Sequence, residues 1–333
     1  MREPAFWWRK PGLAAGLLAP LGTLYGTIAS ARLSRRGARA AVPVVCIGNP
    51  TIGGAGKTPL ALTLAGLLQA AGEAPVLLSR GYGGRLAGPL RVEAARHRAA
   101  DVGDEPLLLA RVAPTVVARD RVTGAQAAVA AGASVIVMDD GFQNPSLQKS
   151  FSVLVVDARR GIGNGRVVPA GPLRAPLPVQ LARADALVTV GASDDDGVAA
   201  VARGRGLPVF RAGLAPDAAV AVALAGARVL AFAGIGDPGK FFATLAALDI
   251  VVVARVSFPD HHRYTPAQAR MLCEQADRES LILVTTEKDL ARMQGDPGLG
   301  RLAARARALP VTLTLADADA FLCLLRQKLA AAR

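Results

Sequence analysis

The chain is short of cysteine, aromatic residues, histidine and acids. Its three cysteines, Cys46, Cys273 and Cys323, lie far apart in 333 residues and form no CxxC pair. Such spacing offers neither a disulfide framework nor a zinc cluster, and it suits a reducing compartment. Aromatics are only 4% of the chain while hydrophobic residues reach 52%. That excludes a disordered chain and points to Ala, Val and Leu packing between helices and a sheet. No stretch interleaves aromatic with basic side chains as RNA-binding modules do, so nucleic acid is not an expected partner. Acids number 26 against 39 lysines and arginines, a formal net charge of +13. The excess suits an anionic membrane or a phosphorylated substrate.

Much of the one-sided charge lies near the start. Residues 1–40 carry Arg2, Arg9, Lys10, Arg32, Arg35, Arg36 and Arg39 against a single acid, Glu3. Between the basic clusters, Pro11 to Ala31 holds no charge and is long enough for a membrane span. A span would put one basic cluster on the disfavoured side, and no A-x-A site marks a cleaved signal. Trp7, Trp8, Arg9 and Lys10 suit the headgroup layer. The expectation is an interfacial or partly embedded helix over residues 1–38. Its alternative is an apolar helix packed on the protein's own core.

From residue 39 onward, short apolar strands alternate with helices. "VPVVCIG" (43–48) runs into a glycine loop, and "KTPLALTLAGLLQAAG" (57–72) follows as a helix. Strands at 74–79 and in "PTVVA", a helix over 120–131, and strands in "SVIVMDDG", 152–156 and 186–190 continue the pattern. Alternation of this kind specifies a doubly wound, mainly parallel α/β sheet of the P-loop NTPase type. The length leaves room for a second, smaller α/β domain. We place the first domain at 39–218 and the second at 219–333, with strands at 228–236, 250–256, 281–289 and 310–315.

The stretch Thr51, Ile52, Gly53, Gly54, Ala55, Gly56, Lys57, Thr58 ends as a phosphate loop does, in Gly-Lys-Thr, but Thr51 replaces the usual first glycine. Glycines let backbone N–H groups turn inward on phosphate, and the helix N-terminus adds partial positive charge. Lys57 would reach the β- and γ-phosphates of ATP, and the Thr58 hydroxyl would hold Mg²⁺. "VIVMDDGFQ" closes a buried strand with Asp139 and Asp140, where such a metal needs carboxylate. Ile52 stands where dimeric partition-type ATPases place a lysine, so no obligate protein partner is expected.

"GNPTIGGAGKTP", "SRGYGG", "GDEP", "DDGFQ", "GNGRVVPAGPLR", "DHH" and "TTEKD", in that order, closely resemble the tetraacyldisaccharide 4'-kinase family, the lipid A kinases of Gram-negative bacteria. The resemblance implies transfer of phosphate from ATP to the 4'-hydroxyl of a tetraacylated glucosamine disaccharide 1-phosphate. It implies a peripheral or monotopic enzyme on the cytoplasmic face of the inner membrane, with an acylated disaccharide lipid as partner. Carried over by motif, the catalytic base falls on Asp104, its histidine partner on His261, and further site positions on Arg121, Gln143 and Arg174. Ala175 stands where the family usually has glutamate. Arg80 and Tyr82 of "SRGYGG" are further candidates for binding the sugar or its phosphate. On the residues alone, Asp104 could instead cap a helix, and His261 with His262 could simply shape a loop. The rival functions are a P-loop ligase acting on a soluble carboxylate and a nucleotide-driven membrane adaptor.

Overall fold

The computed structural model describes residues 3–192 and 197–333. Among these, the strands in chain order are β1 (Val44–Gly48), β2 (Pro75–Ser79), β3 (Leu90–Arg91), β4 (Thr115–Val117), β5 (Val135–Asp139), β6 (Phe151–Asp157), β7 (Ala186–Val190), β8 (Val209–Pro216), β9 (Arg228–Ala233), β10 (Val251–Ser257), β11 (Ile282–Thr286), β12 (Arg307–Leu309) and β13 (Val311–Leu315). The first sheet has the order β13-β8-β7-β6-β1-β5-β2-β4-β3, and the second β10-β9-β11-β12. Both are mainly parallel; β3 and β13 pair antiparallel at the two edges of the first.

The central strands are buried along their whole length because helices cover both faces. On one face Leu60, Leu64 and Leu68 of helix Lys57–Ala70 pack with Val45, Val137 and Val153. On the other, Ala125 and Ala128 of helix Arg121–Ala130 join Cys46, Ile136 and Met138. Each fully buried leucine contributes roughly 1.5–3 kcal/mol. β1 sits between β5 and β6, the point where strand order reverses, and such a sheet opens its crevice there. The register pairs Ile47 with Asp139, so the end of β5 lies beside the loop leaving β1.

Two expectations need correction. The stretch 310–315 does not belong to the second domain: β13 returns to the first sheet and pairs with β8, a strand the sequence reading missed. Helix Ala318–Ala332 follows it back, burying Phe321, Leu325 and Leu329 against Phe151. The unit expected over 219–333 is therefore an insertion between β8 and β13, with its own sheet and cores. The physical reason is that Leu313 of β13 is buried in the core of the first sheet, with Leu315 packed against the same core. The strand expected over 281–289 ends at Thr286, where Thr286 caps helix Glu287–Met293 by accepting from Asp289 N at 3.2 Å.

The N-terminal segment forms a short turn, Ala5–Trp8, and the helix Leu13–Leu33. One face of that helix is narrow. A Cβ on Gly22 would meet Val167 O at 2.8 Å, and one on Gly26 would meet the Pro176 ring. Small residues there let the helix lie directly on the 167–176 loop. Leu13, Leu17, Leu21, Leu24, Tyr25 and Ile28 are exposed, so the helix is not absorbed into the protein's own core. Its 21 residues have a mean hydropathy of 1.4 in their apolar window, long and apolar enough to cross a membrane.

Candidate functional site

The loop 51–58 wraps the C-terminal end of β1 and enters helix Lys57–Ala70. Gly53 and Gly56 take φ of 103° and 92°, a conformation that a side chain at either position would strain. Asn49 braces the loop from inside: its Nδ2 donates to Gly53 O at 3.0 Å, and its Oδ1 accepts from Lys57 Nζ at 3.1 Å. Burial depresses the Lys57 pKa, with the Asp140 carboxylate opposing that effect from 3.9 Å.

The paired acids diverge. Asp139 is buried; Thr58 Oγ1 donates to its Oδ2 at 3.3 Å, while its Oδ1 has no hydrogen-bond partner. Burial, together with the charges of Glu105 and Asp140, pushes its pKa up to about 7. A buried, half-satisfied carboxylate beside the Gly-Lys-Thr hydroxyl is short of a cation, and this donor set fits Mg²⁺. Asp140 turns away with φ of 50° and receives Arg174 through Nη1 at 3.2 Å and Nη2 at 3.4 Å. Burial raises the Asp140 pKa, but Lys57 and Arg174 outweigh it and hold the carboxyl below its ordinary value.

Across the crevice, Asp104 opens the helix Asp104–Leu109, but its side chain caps nothing. It receives Arg292 Nε at 2.7 Å, and His261 Nδ1 lies 3.3 Å from its other oxygen. Burial would raise the Asp104 pKa; the His261 hydrogen bond and the charges of Arg292 and Lys288 hold it well below the carboxylate range. Arg292 is itself fixed by the fully buried Asp289 at 2.7 Å, which also accepts from Tyr264 at 2.8 Å. The second domain thus supplies both partners of Asp104. It also reaches the phosphate loop: a Cβ on Gly236 would lie 3.5 Å from Gly54 N and 3.4 Å from an oxygen of Asp260, the neighbour of His261.

His261 has φ of 54°, and the Tyr82 ring meets it edge-on at 4.8 Å between centroids. Burial lowers the His261 pKa, but the Asp104 hydrogen bond and charge overcome this and raise it. The pair therefore adds stability below the unfolded histidine pKa of about 6.5, and that contribution is lost as pH rises through the raised folded value. We expect His261→Gln to lower the Tm most below about pH 6.5. The deficit should shrink at higher pH in thermal melts; a pH-independent deficit would contradict the assignment.

These contacts bring together Lys57, Thr58, Asp139, Asp140 and Arg174 on one wall, and Asp104, His261 and Tyr82 on the other. Gln143 is spent on support: its Nε2 donates to Asn49 O at 3.0 Å and to Gln180 Oε1 at 3.1 Å. Arg121 is buried, bonded to Ala118 O, with Nε unpartnered. Burial, then the nearby Arg80 charge, lowers its pKa. Arg80 is exposed at the rim. His262 stacks on Phe258 and bonds Gln268 at 2.9 Å, a structural role. Sequence reasoning missed Asn49, Gln180 and Arg292. Asn49 lies inside the quoted glycine motif and Arg292 one turn after "TTEKD", but only the fold shows what each faces.

A family model for tetraacyldisaccharide-1-P 4'-kinase matches residues 14–330. The chain belongs to the tetraacyldisaccharide 4'-kinase family. It is 54% identical to the tetraacyldisaccharide 4'-kinase of Nitrobacter winogradskyi over 100% of this chain and 99% of that protein. It is 57% identical to that of a Rhodopseudomonas palustris strain over 100% and 97%. The crystal structure of LpxK from Aquifex aeolicus in complex with ATP superposes with a TM-score of 0.73 at 28% identity, covering 95% of this chain and 100% of that one. Membership makes the chain a kinase of lipid A formation. It also removes the ligase and adaptor alternatives, which the motifs alone had left open.

Proposed function

We propose that this kinase transfers the γ-phosphoryl group of ATP to the 4'-hydroxyl of an acylated glucosamine disaccharide 1-phosphate, working at the cytoplasmic face of the inner membrane. The observation that carries the reading is the half-satisfied Asp139 carboxylate beside Thr58, close enough to feel the charge of Glu105, the chain neighbour of Asp104. Thr58 and Asp139 would hold Mg²⁺, which neutralises phosphate charge when bound. Lys57 neutralises the transferring group. The sugar oxygen bonds to the γ-phosphorus as the bond to the ADP oxygen breaks, and the hydroxyl proton passes to Asp104. A carboxylate of depressed basicity accepts that proton late, when the hydroxyl has become acidic. His261 orients it. Arg174 and Lys57 hold Asp140, which leaves Asp139 as the metal ligand.

The lipid fits the N-terminal helix. A groove of about 320 Å³ lies between its Gly22–Thr27 face and the loop carrying Arg166 and Pro176, and the exposed leucines face outward. Incubation with labelled ATP and acylated disaccharide 1-phosphate in vesicles should place label on the lipid. The triple variant Leu17→Ser, Leu21→Ser, Leu24→Ser should leave the protein in the supernatant when vesicles are sedimented. Absence of lipid label overturns the transfer reading, and unchanged sedimentation overturns the membrane reading.

A further inference from the structure

The outer side of the phosphate loop is covered by the segment from Glu3 to Trp8. The position a Cβ would take on Gly53 lies 2.3 Å from Glu3 Oε1 and 3.8 Å from Arg160 Nη1. Glu3 Oε2 accepts from Arg160 Nη2 at 2.7 Å and from Trp8 Nε1 at 3.0 Å. The Arg160 guanidinium lies over the Trp8 ring, 4.0 Å from its centroid. Both ends of the ion pair are mostly buried, with side chains 22% and 19% exposed.

This cluster is seated and not loosely attached. Trp7 is buried and donates through Nε1 to Pro169 O at 3.0 Å, while its carbonyl accepts from Asn164 N at 2.7 Å. The same 164–172 loop accepts Ile52 N through Pro172 O at 2.8 Å. The outer edge of the nucleotide loop therefore rests on Arg174 at Thr51, Pro172 at Ile52 and Glu3 at Gly53. On the inner side Asn49 reaches Gly53, donating to its carbonyl at 3.0 Å.

We propose that Glu3 is a positioning residue for ATP, held by Arg160 and Trp8 against Gly53 so that the loop is shaped before the nucleotide arrives. The proposal rests on residues 51–58 being the ATP loop. A loop ordered in advance spares the nucleotide the entropy of ordering it, so the support acts on affinity. The reacting groups have other anchors: Lys57 on Asn49, Thr58 on Asp139, Asp104 on Arg292. Loss of Glu3 should therefore move ATP binding and spare the chemical step. It would also tie the nucleotide loop to the segment that leads into the apolar helix.

The test uses the full chain, a non-hydrolysable ATP analogue with Mg²⁺ in calorimetry, and steady-state transfer to the acylated disaccharide. Glu3→Ala should raise the analogue Kd and the ATP KM about tenfold, with kcat within about twofold. Glu3→Gln keeps the shape against Gly53 and loses the charge-assisted bond, so its Kd should rise about threefold; it also serves if the alanine variant folds poorly. Arg160→Ala should resemble Glu3→Ala, and the double variant should fall short of the product of the two effects. Lys57→Ala is the control for the loop itself. Weakened analogue binding in Lys57→Ala with unchanged binding in Glu3→Ala overturns the proposal alone. Undiminished binding in Lys57→Ala overturns the loop assignment beneath it. A fall in kcat at unchanged Kd, or a change confined to the lipid KM, also overturns it.

Discussion

Lys57→Ala should lower kcat by about a thousandfold while leaving the protein folded. Its ammonium stands beside Asn49 at the Gly53–Gly56 turn, and on the proposed mechanism it meets charge that develops on the transferring oxygens in the transition state. Removing such a fixed donor from a water-poor site costs far more than removing it from the surface. Stability should change little, for two reasons. Burial already works against the charged form of Lys57. Asp140, which would lose one neighbour at 3.9 Å, keeps its two bonds from Arg174. Single-turnover transfer with a thermal melt on the same sample checks both halves. A folded Lys57→Ala enzyme with near-normal kcat would remove this loop from the mechanism.

Asp104→Asn should reduce kcat by about a hundredfold to ten-thousandfold with the ATP KM nearly unchanged. The amide keeps the size of the carboxyl but cannot take the hydroxyl proton. This variant, unlike Lys57→Ala, should also lose stability. Arg292 is nearly buried, and among the described residues Asp289 is the counter-charge it retains without Asp104. A buried pair broken from one side costs about 3–5 kcal/mol, so kinetics must be read well below the variant's Tm. The depressed Asp104 pKa adds stability above the unfolded carboxylate pKa of about 3.9, and this is lost as pH falls through the lower folded value. The wild-type advantage in Tm should accordingly narrow in strong acid. Full kcat in folded Asp104→Asn would pass the base role to another group.

Local chemistry was readable from the residues because it depends on neighbours in the chain. The glycine turn, Lys57 and Thr58 sit within one octapeptide, and the Asp139–Asp140 pair closes a strand whose apolar run is unmistakable. Side-chain chemistry alone could not separate the two acids. Their division, Asp139 to Thr58 and Asp140 to Arg174, comes from the backbone reversal at Asp140 and from a loop that follows β6. Gln143 illustrates the opposite case: a polar residue beside the acids that turns inward, because the carbonyl of Asn49 needs a donor.

Sequence by itself determined the parallel sheet, the glycine turn ahead of Lys57 and the apolar N-terminal helix, since strand periodicity, glycine placement and charge asymmetry are properties of short windows. Tertiary structure alone decided that residues 311–332 rejoin the first sheet, that Arg292 holds Asp104 from 188 residues away, and that Glu3 covers Gly53. The reason is common to all three. Each depends on surfaces brought together by chain topology, where burial sets which charge finds which partner.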